Sequence, residues 1–256
     1  MLPIIDPYQE TKKITDFIKK ILNREKFSNV VIGLSGGIDS TTVFFLLRRI
    51  LPEKNIFPIR MDYQKRINPI DRLFETTEYR NKNICRLDIV KAVDRLKDLL
   101  SFDTLSDDSD RIRLGNIMAR IRMIILFDLA KKNHALVCGT ENRSENLLGY
   151  FTRFGDQASD LEPIGHLYKT QVYELAEYLK VPKDIIEQKP TAGLWKNQTD
   201  EKEFGFSYKE ADPVLHHYFD KKMGVDRIKK LGFANAEKII RFALNNQFKH
   251  HTPYTI

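Results

Sequence analysis

The sequence predicts an α/β fold: a parallel sheet with helices on both faces, followed by a helical C-terminal part. Three observations predict it. Short apolar runs alternate with helical periodicity through the first 140 residues, the pattern of strands joined by crossover helices. One of those runs passes directly into a Gly-Gly loop and then into a helix. After residue 140 the alternation stops, and the tail returns to helical periodicity alone.

Each element follows from its own residues. Ile14, Phe17, Ile18, Ile21 and Leu22 have helical spacing and predict a helix over 8–26. The run Asn29-Val30-Val31-Ile32-Gly33-Leu34 predicts a buried strand, and 41–50 a helix with a broad apolar face. A second strand is expected over 55–61, interrupted at Pro58, and a helix over 71–82. Residues 84–89 predict a third strand and 90–100 a helix. The Ser- and Asp-rich stretch 101–110 reads as a polar loop. A long helix is expected over 111–132, then a fourth strand over 135–139. Residues 146–168 show no clear period, 170–180 are helical, and 189–206 read as a polar, mobile loop. Three helical segments fill 207–250. A single domain spanning 1–256 is expected.

Composition narrows the class. The chain has 256 residues, 42% apolar and 30% charged, the balance of a soluble globular protein. No apolar run approaches the length of a membrane-spanning helix, and the N-terminus lacks a basic region followed by an apolar stretch. The two cysteines, Cys85 and Cys138, lie in apolar strand-like runs and read as small buried hydrophobes. These features predict a cytoplasmic protein with no membrane contact. The net charge of +7 suits an anionic partner, but its lysines and arginines are dispersed and give no nucleic-acid motif.

The chemistry begins at Ser35-Gly36-Gly37-Ile38-Asp39-Ser40. The preceding strand, ending in Gly33 and Leu34, delivers this loop to the carboxyl edge of the sheet, where open α/β folds bind ligands. Gly36 and Gly37 let backbone N–H groups approach an anion, and Ser35 and Ser40 add hydroxyls. Asp39 would repel a phosphate directly, so its place here suggests a bridging Mg²⁺. A P-loop is excluded, because it needs Lys and then Ser or Thr after its glycines.

This string resembles the PP-loop of the ATP pyrophosphatase superfamily, whose members split ATP between the α- and β-phosphates and adenylate a substrate oxygen. Further strings narrow the resemblance: Gly115 to Met123, Gly139-Thr140-Glu141-Asn142-Arg143-Ser144-Glu145, Gly149 to Asp156, Lys169-Thr170-Gln171-Val172, Lys189-Pro190-Thr191-Ala192 and Gln198-Thr199-Asp200-Glu201. In this order they resemble the ammonia-dependent NAD synthetases over roughly residues 10–250. The resemblance implies a Rossmann-like fold of the adenine nucleotide alpha hydrolase type. It implies amidation of deamido-NAD (nicotinic acid adenine dinucleotide) with ammonia to give NAD, AMP and pyrophosphate, through an acyl-adenylate.

The resemblance also assigns residues. ATP falls to Gly33 through Ser40, Thr140, Lys169 and Thr191, and Mg²⁺ to Asp39 and Glu145. The dinucleotide falls to Arg120, Arg153, Asp160, Phe248 and Lys249. Asp160 and Lys169 are the expected catalytic groups, with Asp160 orienting or deprotonating the incoming ammonium. The stretch around Thr191 is expected to close over ATP. Arg153 stands where many relatives have Lys, Gly193 where an acidic residue is common, and Phe248 where some have His. A homodimer is implied. Glutamine-using relatives carry an extra domain that liberates ammonia; with the loop at residue 35, no such glutaminase domain is expected. Two rivals stand beside this reading: a tRNA-modifying enzyme with the same loop, and a nucleotide-binding homologue without activity. The first lacks a paired cysteine motif or an RNA-binding module, and the second rests only on Gly193 and Phe248.

Overall fold

The computed structural model describes residues 2–63, 71, 74, 83–102, 108–191 and 198–256. Helix α1 (Pro7–Glu25) starts at Asp6, whose side chain accepts from the N–H groups of Tyr8 and Gln9, with Pro7 at the first helical position. It leads into β1 (Asn29–Gly33), α2 (Ile38–Arg48) and β2 (Ile56–Asp62). Then come β3 (Cys85–Asp88), α3 (Val90–Leu99), α4 (Asp108–Lys132) and β4 (Ala135–Cys138).

The described strands pair in the order β3-β2-β1-β4, all parallel. Side chains alternate across the sheet. Val30 and Ile32 join Leu136 and Cys138 in a core with α1 and α2, while Val31 and Val137 face α4 on the other side. Both faces are thus covered, as the sequence predicts.

Pro58 does not interrupt β2. Ile59 accepts at its carbonyl from the Leu34 N–H, so Ile59 faces β1 and the neighbouring Pro58 faces away. On that side β3 begins only opposite Ile59, so no ladder bond is lost at Pro58. Cys138 is buried as expected, whereas Cys85 is only half-buried. The expected helix over 71–82 lies largely outside the described residues, as does 103–107 of the expected loop. The following helix starts earlier than predicted, at Asp108.

Beyond β4 come α5 (Arg143–Leu148), α6 (Lys169–Tyr178) and α7 (Lys183–Ile186). Helix α8 (Asp200–Phe204) corrects the sequence reading of 189–206 as one mobile loop. Its reason is tertiary: Phe204 and Phe206 are buried, with ring centroids 5.4 Å apart, against Tyr208 and Phe242. The tail is helical, as predicted: α9 (Tyr208–Leu215) with a π-turn to Asp220, α10 (Val225–Lys230) and α11 (Ala236–Asn246). This part has its own apolar core, centred on Phe204, Leu215, Ile228 and Ile240.

Candidate active site

The chain runs β1, β2, β3 to one side, then returns to place β4 on the other side of β1. The carboxyl ends of β1 and β4 therefore flank the point where strand order reverses, the crevice in which such sheets bind ligands. Two loops enter it, Leu34–Gly37 and Gly139–Asn142.

The first loop is shaped for an anion. Gly36 has φ +86°, a conformation that glycine adopts without strain. Gly37 is the N-cap of α2 and has no side chain to cap it, so the first N–H groups of the helix face the crevice without a side-chain acceptor. Hydroxyls brace the turn: Ser35 Oγ accepts from the Gly37 N–H at 3.2 Å and lies 3.1 Å from Ser40 Oγ. Thr41 Oγ1 donates to the Gly37 carbonyl at 2.9 Å.

The second loop sets Glu145. Asn142 and Glu145 form a capping box: Asn142 Oδ1 accepts from the Glu145 N–H at 3.0 Å, and Glu145 Oε2 accepts from the Asn142 N–H at 3.4 Å. Asn142 Nδ2 also donates to Asp39 Oδ1 at 3.0 Å. One buried amide thereby ties the two loops together.

Lys169, the first residue of α6, closes the group. Its Nζ donates to Asp39 Oδ2 at 2.6 Å and to Glu145 Oε1 at 2.9 Å. The residue is 2% exposed, and the Tyr208 ring lies 5.2 Å from the ammonium. Burial alone would lower the pKa of Lys169, but the charges of Asp39, Glu145 and Asp200 outweigh it and hold the ammonium firmly protonated. Burial pushes the Glu145 carboxyl up, and Lys169 pulls it back down.

A buried chain of hydrogen bonds aims α6. Asp212, from α9, accepts from Ser144 Oγ at 2.6 Å and from the N–H and hydroxyl of Thr170 at 2.8 and 2.7 Å. Ser144 Oγ in turn accepts from the Lys169 N–H at 2.8 Å. Sequence reading missed Asn142, Ser144 and Asp212 as site builders. The Asn-x-x-Glu spacing signals the capping box; Asp212 carries no local signal.

The predicted metal ligands, Asp39 and Glu145, share one cation in this arrangement, the Lys169 ammonium. Two carboxylates that converge on a positive group at a phosphate loop match the oxygen donors Mg²⁺ requires. The residues therefore fit the ion.

A second cluster gathers the predicted dinucleotide residues. Arg120 Nε donates to the Arg153 carbonyl at 3.3 Å, and the Arg153 guanidinium lies 5.3 Å from the Phe248 ring centroid. Lys249 Nζ donates to the carbonyls of Gly149 and Phe151 at 2.7 and 3.1 Å. Burial lowers the pKa of Lys249, with Asp156 acting against the shift. Residues distant in sequence thus form one cationic corner beside α5.

Among the described residues, Asp160 joins neither group through a hydrogen bond. It is exposed, its backbone N–H donates to the Val137 carbonyl, and Asp160 Oδ2 accepts from the Val137 N–H at 2.7 Å. Residues 160–162 run parallel to β4, with Leu161 bridged to Cys138. Glu162 extends this edge, accepting at Oε2 from the Glu141 N–H at 3.0 Å and at Oε1 from Ser159 at 2.7 Å. Glycine at 139 makes room for this carboxylate, since a Cβ there would lie 1.8 Å from Glu162 Oε1 and displace it. Thr140 follows directly at the crevice. Thr191 is exposed beside Pro190, whose carbonyl accepts from the Asp200 N–H at 3.0 Å. Gly193 lies outside the described residues.

Fold and site define a class: a doubly wound nucleotide-binding protein with an anion loop and an acidic pair at its switch point. Comparison with known proteins gives the family. The NAD synthase family model matches residues 10–253. The NH3-dependent NAD(+) synthetase of Thermoplasma acidophilum is 40% identical over 252 residues, covering 98% of each chain. That of Fusobacterium nucleatum is 38% identical, covering 94% of this chain and 92% of its own. The solved NH3-dependent NAD synthetase from Campylobacter jejuni superposes with a TM-score of 0.78 at 31% identity, covering 98% of this chain and all of its own. The NMN synthetase from Francisella tularensis gives 0.81 at 30% identity, covering 99% of each. The chain belongs to the NAD synthase family.

Proposed function

We propose that this chain amidates deamido-NAD with ammonia at the expense of ATP, yielding NAD, AMP and pyrophosphate. The observation that carries the reading is the convergence of Asp39, Glu145 and Lys169 on the phosphate loop at the switch point.

The physical logic runs through leaving groups. A carboxylate is a poor acyl donor because oxide does not leave. Joining the nicotinate carboxylate oxygen to the α-phosphorus, with loss of pyrophosphate, makes a mixed anhydride from which AMP departs readily. The loop N–H groups and Lys169 stabilise charge growing on the departing pyrophosphate. Mg²⁺, when bound by Asp39 and Glu145, supplies neutralisation of phosphate charge. Ser35 and Ser40 hold the loop in shape, and Thr140 and Thr191 add ATP contacts. Arg120, Arg153 and Lys249 offer positive charge to the dinucleotide pyrophosphate and carboxylate, with Phe248 and the Asp160 edge completing that subsite. Closure of the chain around Thr191 over ATP, as the family resemblance implies, would exclude water and protect the acyl-adenylate. The protein acts in the cytoplasm as a homodimer and uses free ammonia.

A second substrate is worth separating, because the Francisella relative is an NMN synthetase. The test supplies ATP, Mg²⁺ and ammonium with either deamido-NAD or nicotinic acid mononucleotide. The expected outcome is AMP, pyrophosphate and NAD in equal amounts, with the dinucleotide preferred. Preference for the mononucleotide would reassign the substrate. Efficient turnover with glutamine would remove the ammonia assignment, and no pyrophosphate release with any substrate would favour a silent homologue.

A further inference from the structure

Asp200 carries a contradiction that the proposed reaction resolves. It is 3% exposed, yet its Oδ1 is buried with no hydrogen-bond partner among the described residues. Its other oxygen, Oδ2, accepts from the Tyr208 hydroxyl at 3.0 Å, which fixes the orientation of the carboxylate. A buried carboxylate oxygen without a partner is costly, and proteins keep such a group where something else binds it. The same conclusion follows from charge. Asp200 interacts electrostatically with Lys169, Asp39 and Glu145, so three carboxylates face one ammonium. Lys169 already spends hydrogen bonds on the other two.

The place is also informative. On one side stand Lys169 and the phosphate loop. On the other is Tyr150, whose hydroxyl donates to Glu203 at 3.1 Å and is close enough to the Asp200 carboxylate to interact with it as a second, weaker acceptor. Tyr150 sits between Gly149 and Phe151, the two carbonyls that hold Lys249. Asp200 thus lies between the ATP group and the dinucleotide corner, where the nitrogen must meet the activated carbonyl. A divalent ion requires a fuller oxygen shell than one bare carboxylate oxygen supplies. A small monovalent cation with N–H donors and affinity for aromatic faces suits the site, as the packing of Lys169 against Tyr208 illustrates.

Building on the amidation reading, we propose that Asp200 Oδ1 is the ammonium-binding site of this chain. Bound ammonium gives one proton to Asp200. The nitrogen lone pair forms the C–N bond, the C–O bond to AMP breaks, and AMP leaves with that electron pair. The nitrogen then loses its surplus proton to solvent, leaving the amide. This takes from Asp160, tied to the β4 edge, the ammonium role that the sequence resemblance implies.

The test exploits the order of the two half-reactions. Adenylation, followed as deamido-NAD-dependent ATP–pyrophosphate exchange, needs no nitrogen. Asp200→Asn is expected to raise the KM for ammonium chloride at least about tenfold while exchange stays within about threefold of wild type. Hydroxylamine, neutral at the assay pH, is expected to trap the acyl-adenylate equally well in both proteins. Tyr208→Phe, which frees Oδ2, is expected to raise the same KM by a smaller factor, and it serves if Asp200→Asn does not fold. Exchange and amidation falling together, or an unchanged ammonium KM, would overturn the proposal. Absence of exchange in the wild type would instead overturn the underlying reaction, and this site with it.

Discussion

The proposed ATP side and the proposed dinucleotide corner are built in opposite ways. On the ATP side, charge is concentrated and paired: Lys169 sits between Asp39 and Glu145, and Asn142 bolts one acid to the other loop. At the dinucleotide corner, charge is spread and lightly held. Arg153 rests on the Phe248 ring, and Lys249 donates to two backbone carbonyls. The contrast teaches where each region stores its cost. The first is pre-organised, so losing one member strands the others in a buried place. The second leaves its cations available, so losing one member weakens binding and leaves the fold alone.

Substitutions break that comparison in order of expected effect. Lys169→Met is expected to lower pyrophosphate exchange by about 10³-fold or more. It also strands two mostly buried carboxylates, so urea denaturation is expected to reveal a loss of about 3–5 kcal/mol. A stable variant would show that the acids were never held by Lys169. Glu145→Gln removes one of the two acids proposed for Mg²⁺. Exchange is expected to fall about 10²-fold and the Mg²⁺ concentration for half-maximal rate to rise; removing Mg²⁺ with a chelator should stop exchange in the wild type. An unchanged Mg²⁺ dependence would detach Glu145 from the metal.

Lys249→Met tests the other region. The expected result is a rise of about tenfold in the KM for deamido-NAD, about 1.4 kcal/mol, with the KM for ATP and the denaturation midpoint nearly unchanged. A matching rise for ATP would merge the two regions into one.

A pH measurement sharpens the boundary between them. Burial pushes the Glu162 carboxyl up to about 7 from 4.5, against the Ser159 hydroxyl and the Glu141 N–H. The folded chain therefore keeps this proton to higher pH than the unfolded chain. The stability it supports is complete below 4.5 and is lost as pH rises through about 7. Glu162→Gln cannot ionise and still accepts from Glu141. Denaturation above pH 7 is expected to find it more stable than wild type by about 1–2 kcal/mol, with the difference vanishing in acid. Parallel curves at all pH values would show that Glu162 does not titrate there. The smallest effect is expected for Phe248→Ala, which removes the aromatic face under Arg153. Loss of about 0.5–1 kcal/mol predicts a rise of a few-fold in the dinucleotide KM.

What the sequence made legible was local. The β1 run, Gly36 and Gly37, and the helix that follows lie within twenty residues, so their patterns survive in the chain order. Glu145 was legible as a site residue only through resemblance; its capping box could have been read from Asn142. Helix α8 was not legible, because its five residues are mostly charged and its stability comes from Phe204 and Phe206 packing on Tyr208 and Phe242. Asp212 and the bare oxygen of Asp200 were invisible for the same reason: their meaning lies in neighbours that the chain brings from far away. Pro58 misled in the opposite direction, since only the start of β3 tells which edge its missing N–H faces.

The segment 160–162 has a consequence outside catalysis. It lies along the free flank of β4, where exposed backbone groups would otherwise offer a template to a strand from another molecule. The Asp160 carboxylate occupies the Val137 N–H with a charged side chain in place of a peptide carbonyl. An incoming strand would meet a negative charge and a chain already seated there. The β4 margin of this sheet is therefore closed to a further strand along Val137–Cys138 by the protein's own chain.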